Sequence, residues 1–231
     1  MARGLAVTLS LAGRTAAPRL PDGCAVRSGG FMGAAGLADW LRADGTGVLV
    51  DATHPFARRI SANAAAAGAA AAVPLVVLDR PPWAAVDGDR WTRVATMAEA
   101  AAALGATPRR VFLAVGRQEA GAFRAAPQHR YLVRSVEPVA TGDLPPTATT
   151  ILARGPFAEV DERRLLIDHA IEVVVAKNSG GAATYGKIAA ARALGLPAVL
   201  VDRAAVAGAL ASVGEAEAAV LHCAALAKRV V

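Results

Sequence analysis

The chain has 231 residues, enough for one large domain or two small ones, with a formal net charge of +6 from 25 Lys and Arg against 19 Asp and Glu. The cations stand singly or in pairs such as Arg58-Arg59 and Arg109-Arg110, without a basic tail or a helix–turn–helix signature. That pattern excludes an extended nucleic-acid surface in favour of a small anionic ligand, while Cys24 and Cys223, far apart and without metal-ligand spacing, fit a reduced, cytoplasmic protein that holds no metal.

Short apolar runs bounded by turn residues occur in order at 5–10, 48–50, 75–78, 111–115, 131–133, 151–153, 173–176 and 198–201. Stretches of helix-forming residues separate most of them, which predicts βα units and a largely parallel sheet. The uncharged stretch 60–78 is mostly Ala and is broken by Gly68 and Pro74. It reads as an Ala-rich helix, a turn and a buried strand rather than a membrane span.

The runs repeat. Ala-Val-Pro-Leu-Val-Val-Leu-Asp-Arg ends at Arg80 and Gly-Leu-Pro-Ala-Val-Leu-Val-Asp-Arg ends at Arg203, 123 residues later. Upstream, Val-Leu-Val-Asp51 answers Val-Val-Val-Ala176, and Gly-Gly-Phe31 answers Gly-Pro-Phe157, at offsets of 125 and 126. The expectation is an α/β protein of two similar Rossmann-like halves, residues 1–94 and 95–231, with a last helix at about 215–228 that could pack on either. The run at 111–115 and the turn Gly116-Arg117-Gln118 have no counterpart before residue 5, so a strand, turn and helix are expected to be missing from the front.

In open parallel sheets, ligands meet the loops after the strands. Ser10 and Arg14 follow the first run, where an Arg suits the 2′-phosphate of NADP and an acidic residue would suit NAD. Asp51-Ala-Thr53-His54-Pro55-Phe56 follows the second, with Thr53 or His54 expected at the start of a helix whose first N–H groups favour an anion. The second half offers Arg117 and Gln118, then Arg134, then Arg154, and finally Lys177-Asn178-Ser179-Gly180-Gly181 opening a helix over about 182–194. Two glycines there permit close backbone approach, and the order is not that of a Walker A loop. Arginines at several strand ends fit a ligand with several carboxylates. An isolated surface arginine or a plain Gly-rich turn is the simpler alternative at each place taken alone.

Leu-Ala-Gly-Arg-Thr at 11–15, Asp-Ala-Thr-His-Pro-Phe at 51–56 with Ile-Ser-Ala-Asn at 60–63, Val-Gly-Arg-Gln at 115–118, Ala-Arg-Gly-Pro-Phe at 153–157 and Lys-Asn-Ser-Gly-Gly at 177–181 together resemble the precorrin-6A reductases of cobalamin biosynthesis. The resemblance implies two Rossmann-like domains with NADPH and a tetrapyrrole in a cleft between them, and reduction of one carbon–carbon double bond to give precorrin-6B. It implies cofactor contacts from Ser10, Arg14, Thr53, Ser179, Gly180 and Gly181, and contacts to a polycarboxylate macrocycle from Arg117, Gln118, Arg134, Arg154 and Asn178. Lys177 and His54 are the candidate proton donors, with water as the alternative. The family's opening strand and Gly-rich turn are not found in the sequence, which agrees with the gap in the repeat. A tetrapyrrole-binding protein without catalysis is the runner-up, a different nucleotide-linked fold the third reading. A monomer without nucleic-acid or membrane partners is expected.

Overall fold

The structure, a computed structural model, describes residues 4–13, 18, 20–203 and 211–227. In chain order its elements begin with β1 (Thr8–Leu11), β2 (Ala25–Ser28), α1 (Ala34–Ala43), β3 (Leu49–Asp51), α2 (Arg58–Ala71) and β4 (Leu75–Leu78). There follow β5 (Trp91–Val94), α3 (Met97–Ala103), β6 (Arg110–Ala114), β7 (Arg130–Ser135) and β8 (Ala148–Leu152). The chain continues through α4 (Glu159–Asp168), β9 (Val173–Lys177), α5 (Gly186–Ala193), β10 (Ala198–Val201), β11 (Ala211–Val213) and α6 (Ala216–Ala227). All eight apolar runs overlap strands, and among the described residues every pairing of strands is parallel.

The chain divides into two units, Met1–Arg80 with Ala205–Val231, and Pro81–Ala204. This differs from a boundary at 94–95 because Trp91–Val94 pairs with β10 at the edge of the second unit's sheet. In turn β11 pairs with β4, which assigns the last strand and helix to the first unit.

The second unit has a six-stranded sheet in the order β5-β10-β9-β6-β7-β8. Its centre is buried on both faces, as the unbroken runs require. Phe112, Leu132 and Val174 pack against Leu166 of α4 and Ala190 and Ala191 of α5. Burying a side chain such as Leu166 stabilises the fold by roughly 1.5–3 kcal/mol.

In the first unit, Leu37, Ala38 and Leu41 of α1 pack with Ala64 and Ala67 of α2 and with Leu75 and Val77. The alanines of α2 serve close packing: a Cβ on Gly68 would stand 2.9 Å from the Val73 carbonyl oxygen. The repeat is visible in the order of strands, since β4 lies between β3 and β11 as β10 lies between β9 and β5. Among the described residues the first unit has no strand corresponding to β6, and its strands form two sheets, β1-β2 and β11-β4-β3.

Candidate active site

The parallel strands of each sheet direct their following loops to the carboxyl end of that sheet, where the expected residues of each unit lie. In the first unit Ser10 is exposed near the end of β1, and Arg27 of the neighbouring β2 donates to its Oγ at 3.0 Å. Arg27 also donates to the Gly29 carbonyl at 3.0 Å and lies 3.7 Å over the Phe31 ring. It therefore ties the two strand-end loops together. Arg14 lies outside the described residues.

The loop after β3 is built on Asp51, which is buried and accepts from the Thr53 N–H at 2.9 Å and the Thr53 hydroxyl at 2.7 Å. This turn prevents a helix from starting at Thr53 or His54. A second turn follows, with the Ala57 N–H donating to the His54 carbonyl at 2.7 Å, and α2 begins only at Arg58. His54 Nδ1 accepts from the Phe56 N–H at 3.3 Å.

In the second unit the Lys177–Gly181 loop leaves β9. The Lys177 ammonium donates to Glu119 Oε1 at 2.6 Å, and both side chains keep partial access to solvent. Asn178 is fully buried. Its Oδ1 accepts from the Trp83 N–H at 2.8 Å, while its Nδ2 donates to the Trp83 carbonyl at 3.2 Å and to Asp202 at 3.3 Å. Ser179 and Gly180 are also buried, and Gly180 and Gly181 have φ of +67° and +77°, a region that favours glycine. These turns delay the helix expected from residue 182, so α5 starts at Gly186.

The arginines separate into two kinds. Arg117 and Arg154 are exposed, and Arg117 and Gln118 line a pocket of about 290 Å³ with Val139 and Asp143. Arg134 is turned inward: it is buried, its Nη2 donates to Glu162 Oε2 at 2.9 Å, its Nη1 bonds the other oxygen, and its guanidinium lies 3.7 Å over Phe157. A forked pair of this kind satisfies both buried charges.

Between the starts of α4 and α5 an open pocket of about 530 Å³ is lined by Trp83, Phe157, Glu159, Gly181, Tyr185 and Gly186. Trp83 forms its aromatic wall, with its Nε1–H donating to the Gly181 carbonyl at 2.8 Å and its ring 5.6 Å from that of Tyr185. Beneath it lies Lys187, buried, with its ammonium 4.8 Å from the Trp83 ring centre. Burial first, and then the nearby Arg134, pulls the Lys187 pKa down to about 7 against the opposing pull of Glu162.

Trp83, Glu162 and Lys187 were not singled out by sequence reasoning. Lys187 left one trace, a single cation in the otherwise apolar opening of an Ala-rich helix. Among the described residues no group of His, Cys, Asp or Glu could hold a metal ion, and no helix is long and apolar enough to cross a membrane.

Parallel sheets flanked by helices, with hydroxyl, amide and cationic groups on the loops beyond the strands, define a Rossmann-like α/β protein. The family model for the precorrin-6x reductases CbiJ/CobK matches residues 1–224, and the chain belongs to that family. A precorrin-6A reductase of Sinorhizobium sp is 56% identical over 195 residues, covering 84% of this chain and 74% of the relative. That of Rhodobacter capsulatus is 50% identical over 205 residues, 88% of this chain and 81% of the relative. A solved structure described as CobK precorrin-6A reductase superposes with a TM-score of 0.91 at 47% identity, covering 97% of this chain and 89% of that one.

Proposed function

We propose that this chain reduces precorrin-6A to precorrin-6B with NADPH, in the biosynthesis of cobalamin. The observation that carries the reading is the family match over residues 1–224, joined by relatives that bear the name precorrin-6A reductase. A relative named cobalt-precorrin-6A reductase, from Priestia megaterium, is 28% identical over 181 residues, against 56% for the Sinorhizobium enzyme. That difference favours a macrocycle without cobalt.

The first unit suits a dinucleotide. Ser10 offers an exposed hydroxyl beside the Arg27 guanidinium, and at Gly29, Gly30 and Gly33 a side chain would meet nothing within 4 Å. Such open glycines let a phosphate reach backbone N–H groups. We assign Ser10, Arg14 and Thr53 to the cofactor, with Arg14 on the 2′-phosphate. NADPH, when bound, supplies the hydride.

For the second unit we assign the aromatic pocket to the macrocycle face, and Arg117, Gln118 and Arg154 to its carboxylate arms. Ser179, Gly180 and Gly181 shape the backbone that the bound molecules approach, while Asn178 and Arg134 support the site from within. Reduction also consumes a proton. Lys177, a cation held by Glu119 and still reachable by solvent, is the donor we favour, with His54 as the second candidate.

Incubation with precorrin-6A and NADPH, followed by absorbance and product mass, tests the proposal. Oxidation of NADPH with gain of a hydride and a proton by the macrocycle is the expected result. An unchanged macrocycle beside unoxidised NADPH would sink it.

A further inference from the structure

Two of the aromatic side chains that line the larger pocket, Phe157 and Trp83, have a buried cation close to them. The Arg134 guanidinium lies 3.7 Å over Phe157 and is neutralised by Glu162. Lys187, 4% exposed, has its ammonium 4.8 Å from the Trp83 ring centre and donates to the Thr184 carbonyl. Trp83 is also held at its indole nitrogen by Gly181 and through its backbone by Asn178. Lys187 thus joins α5 and the turn before it to the ring that walls the pocket.

We propose that Lys187 is a positioning residue for the reduction: its ammonium pins the Trp83 ring in the wall against which the macrocycle packs. The identity of the ligand rests on the reductase reading; the hold on Trp83 does not. A cation over an indole face is attracted by the ring's quadrupole, and the attraction is strongest where water is excluded. A neutral amine lacks it. The charged groups facing Lys187 are Arg134 from β7 and Glu162 from α4, and the bidentate bond between those two leaves the ammonium as the surplus charge. Burial and Arg134 bring its pKa to about 7, so the hold on Trp83 changes within the range in which enzymes work. The only chemical event is the loss of one proton from Lys187 Nζ, whose N–H bond gives its proton to water.

The test is a pH titration of tryptophan emission in the full chain without substrate, for the wild type, Trp83→Phe, Lys187→Arg and Lys187→Met. The wild type should show a transition with its midpoint near pH 7. It should vanish in Trp83→Phe, which lacks the reporting ring, and in Lys187→Arg, whose guanidinium stays charged. A transition that persists in either variant overturns the proposal, as does its absence from the wild type. With substrate, Lys187→Met should raise KM roughly tenfold, the scale of a desolvated cation–π contact, with kcat nearly unchanged. Lys187→Arg should retain most of the affinity. A wild-type KM in folded Lys187→Met also overturns the proposal, and if that variant does not fold, the emission titrations of the other two decide. Failure of the emission transition counts against Lys187 alone, whereas failure of turnover counts against the reductase reading.

Discussion

Asn178 and Trp83, 95 positions apart in sequence, are joined by two hydrogen bonds in which the Asn178 side chain takes the place of a neighbouring strand: the Trp83 N–H donates to Oδ1 at 2.8 Å and Nδ2 donates to the Trp83 carbonyl at 3.2 Å. The arrangement satisfies a backbone donor and acceptor with one side chain. Asn178→Ala leaves both backbone groups to find other partners. We expect a loss of about 1–3 kcal/mol in unfolding free energy, measured by urea denaturation, together with a higher KM for the macrocycle. Asn178→Asp should be worse, because it sets a second carboxylate beside Asp202.

Arg134 and Glu162 form a buried pair, so removing one partner strands the other. Glu162→Gln should cost about 3–5 kcal/mol, whereas the double change Arg134→Met with Glu162→Leu should cost less than the sum of the single changes. A double-mutant cycle built from denaturation curves measures the coupling.

Gly186 sits where α5 approaches the chain before α4. A Cβ there would stand 2.5 Å from the Phe157 carbonyl oxygen and 3.2 Å from the Ala158 carbonyl carbon. Gly186→Ala should therefore destabilise by about 1–3 kcal/mol despite the better helix propensity of Ala. At Gly142 a Cβ would meet nothing within 4 Å, and Gly142→Ala should leave Tm nearly unchanged.

Lys187 makes stability depend on pH. Its pKa falls from an ordinary 10.5 to about 7 on folding, so between these values the unfolded chain binds more protons than the folded one. Its contribution to the unfolding free energy should rise with pH across that window and be constant below it. Denaturation midpoints from pH 7 to 10 should climb more steeply, or fall less steeply, in the wild type than in Lys187→Met.

Arg14→Ala should weaken NADPH binding tenfold or more and leave NADH binding nearly unchanged, because a charge-assisted contact to the 2′-phosphate is worth about 1.5–3 kcal/mol. Cofactor titrations by fluorescence compare the two, and equal losses would remove Arg14 from that role.

Strands buried on both faces of a parallel sheet must be apolar at every position, and for that reason runs such as 173–176 and 198–201 declared themselves without any tertiary information. The repeat was legible for the same reason, since the equivalent places of two similar sheets demand similar residues. Edge strands carry no such demand: β2, β5 and β11 were not anticipated, because a strand paired on one side needs no unbroken run. That is also why the division of the chain was read at 94–95, when the pairing of Trp91–Val94 with β10 assigns that strand to the second unit. The polar motifs marked which loops matter but not what each side chain does there. Arg117 and Arg154 lie beyond strand ends and are exposed, whereas Arg134, within β7, meets a buried carboxylate supplied by a helix 28 positions further along. Asn178 lies in a loop that looks made for a ligand, and the backbone it holds comes from Trp83. Local sequence fixes the run, the turn and the motif; whether a polar side chain faces inward or toward a ligand is set by partners that only long-range packing brings within reach.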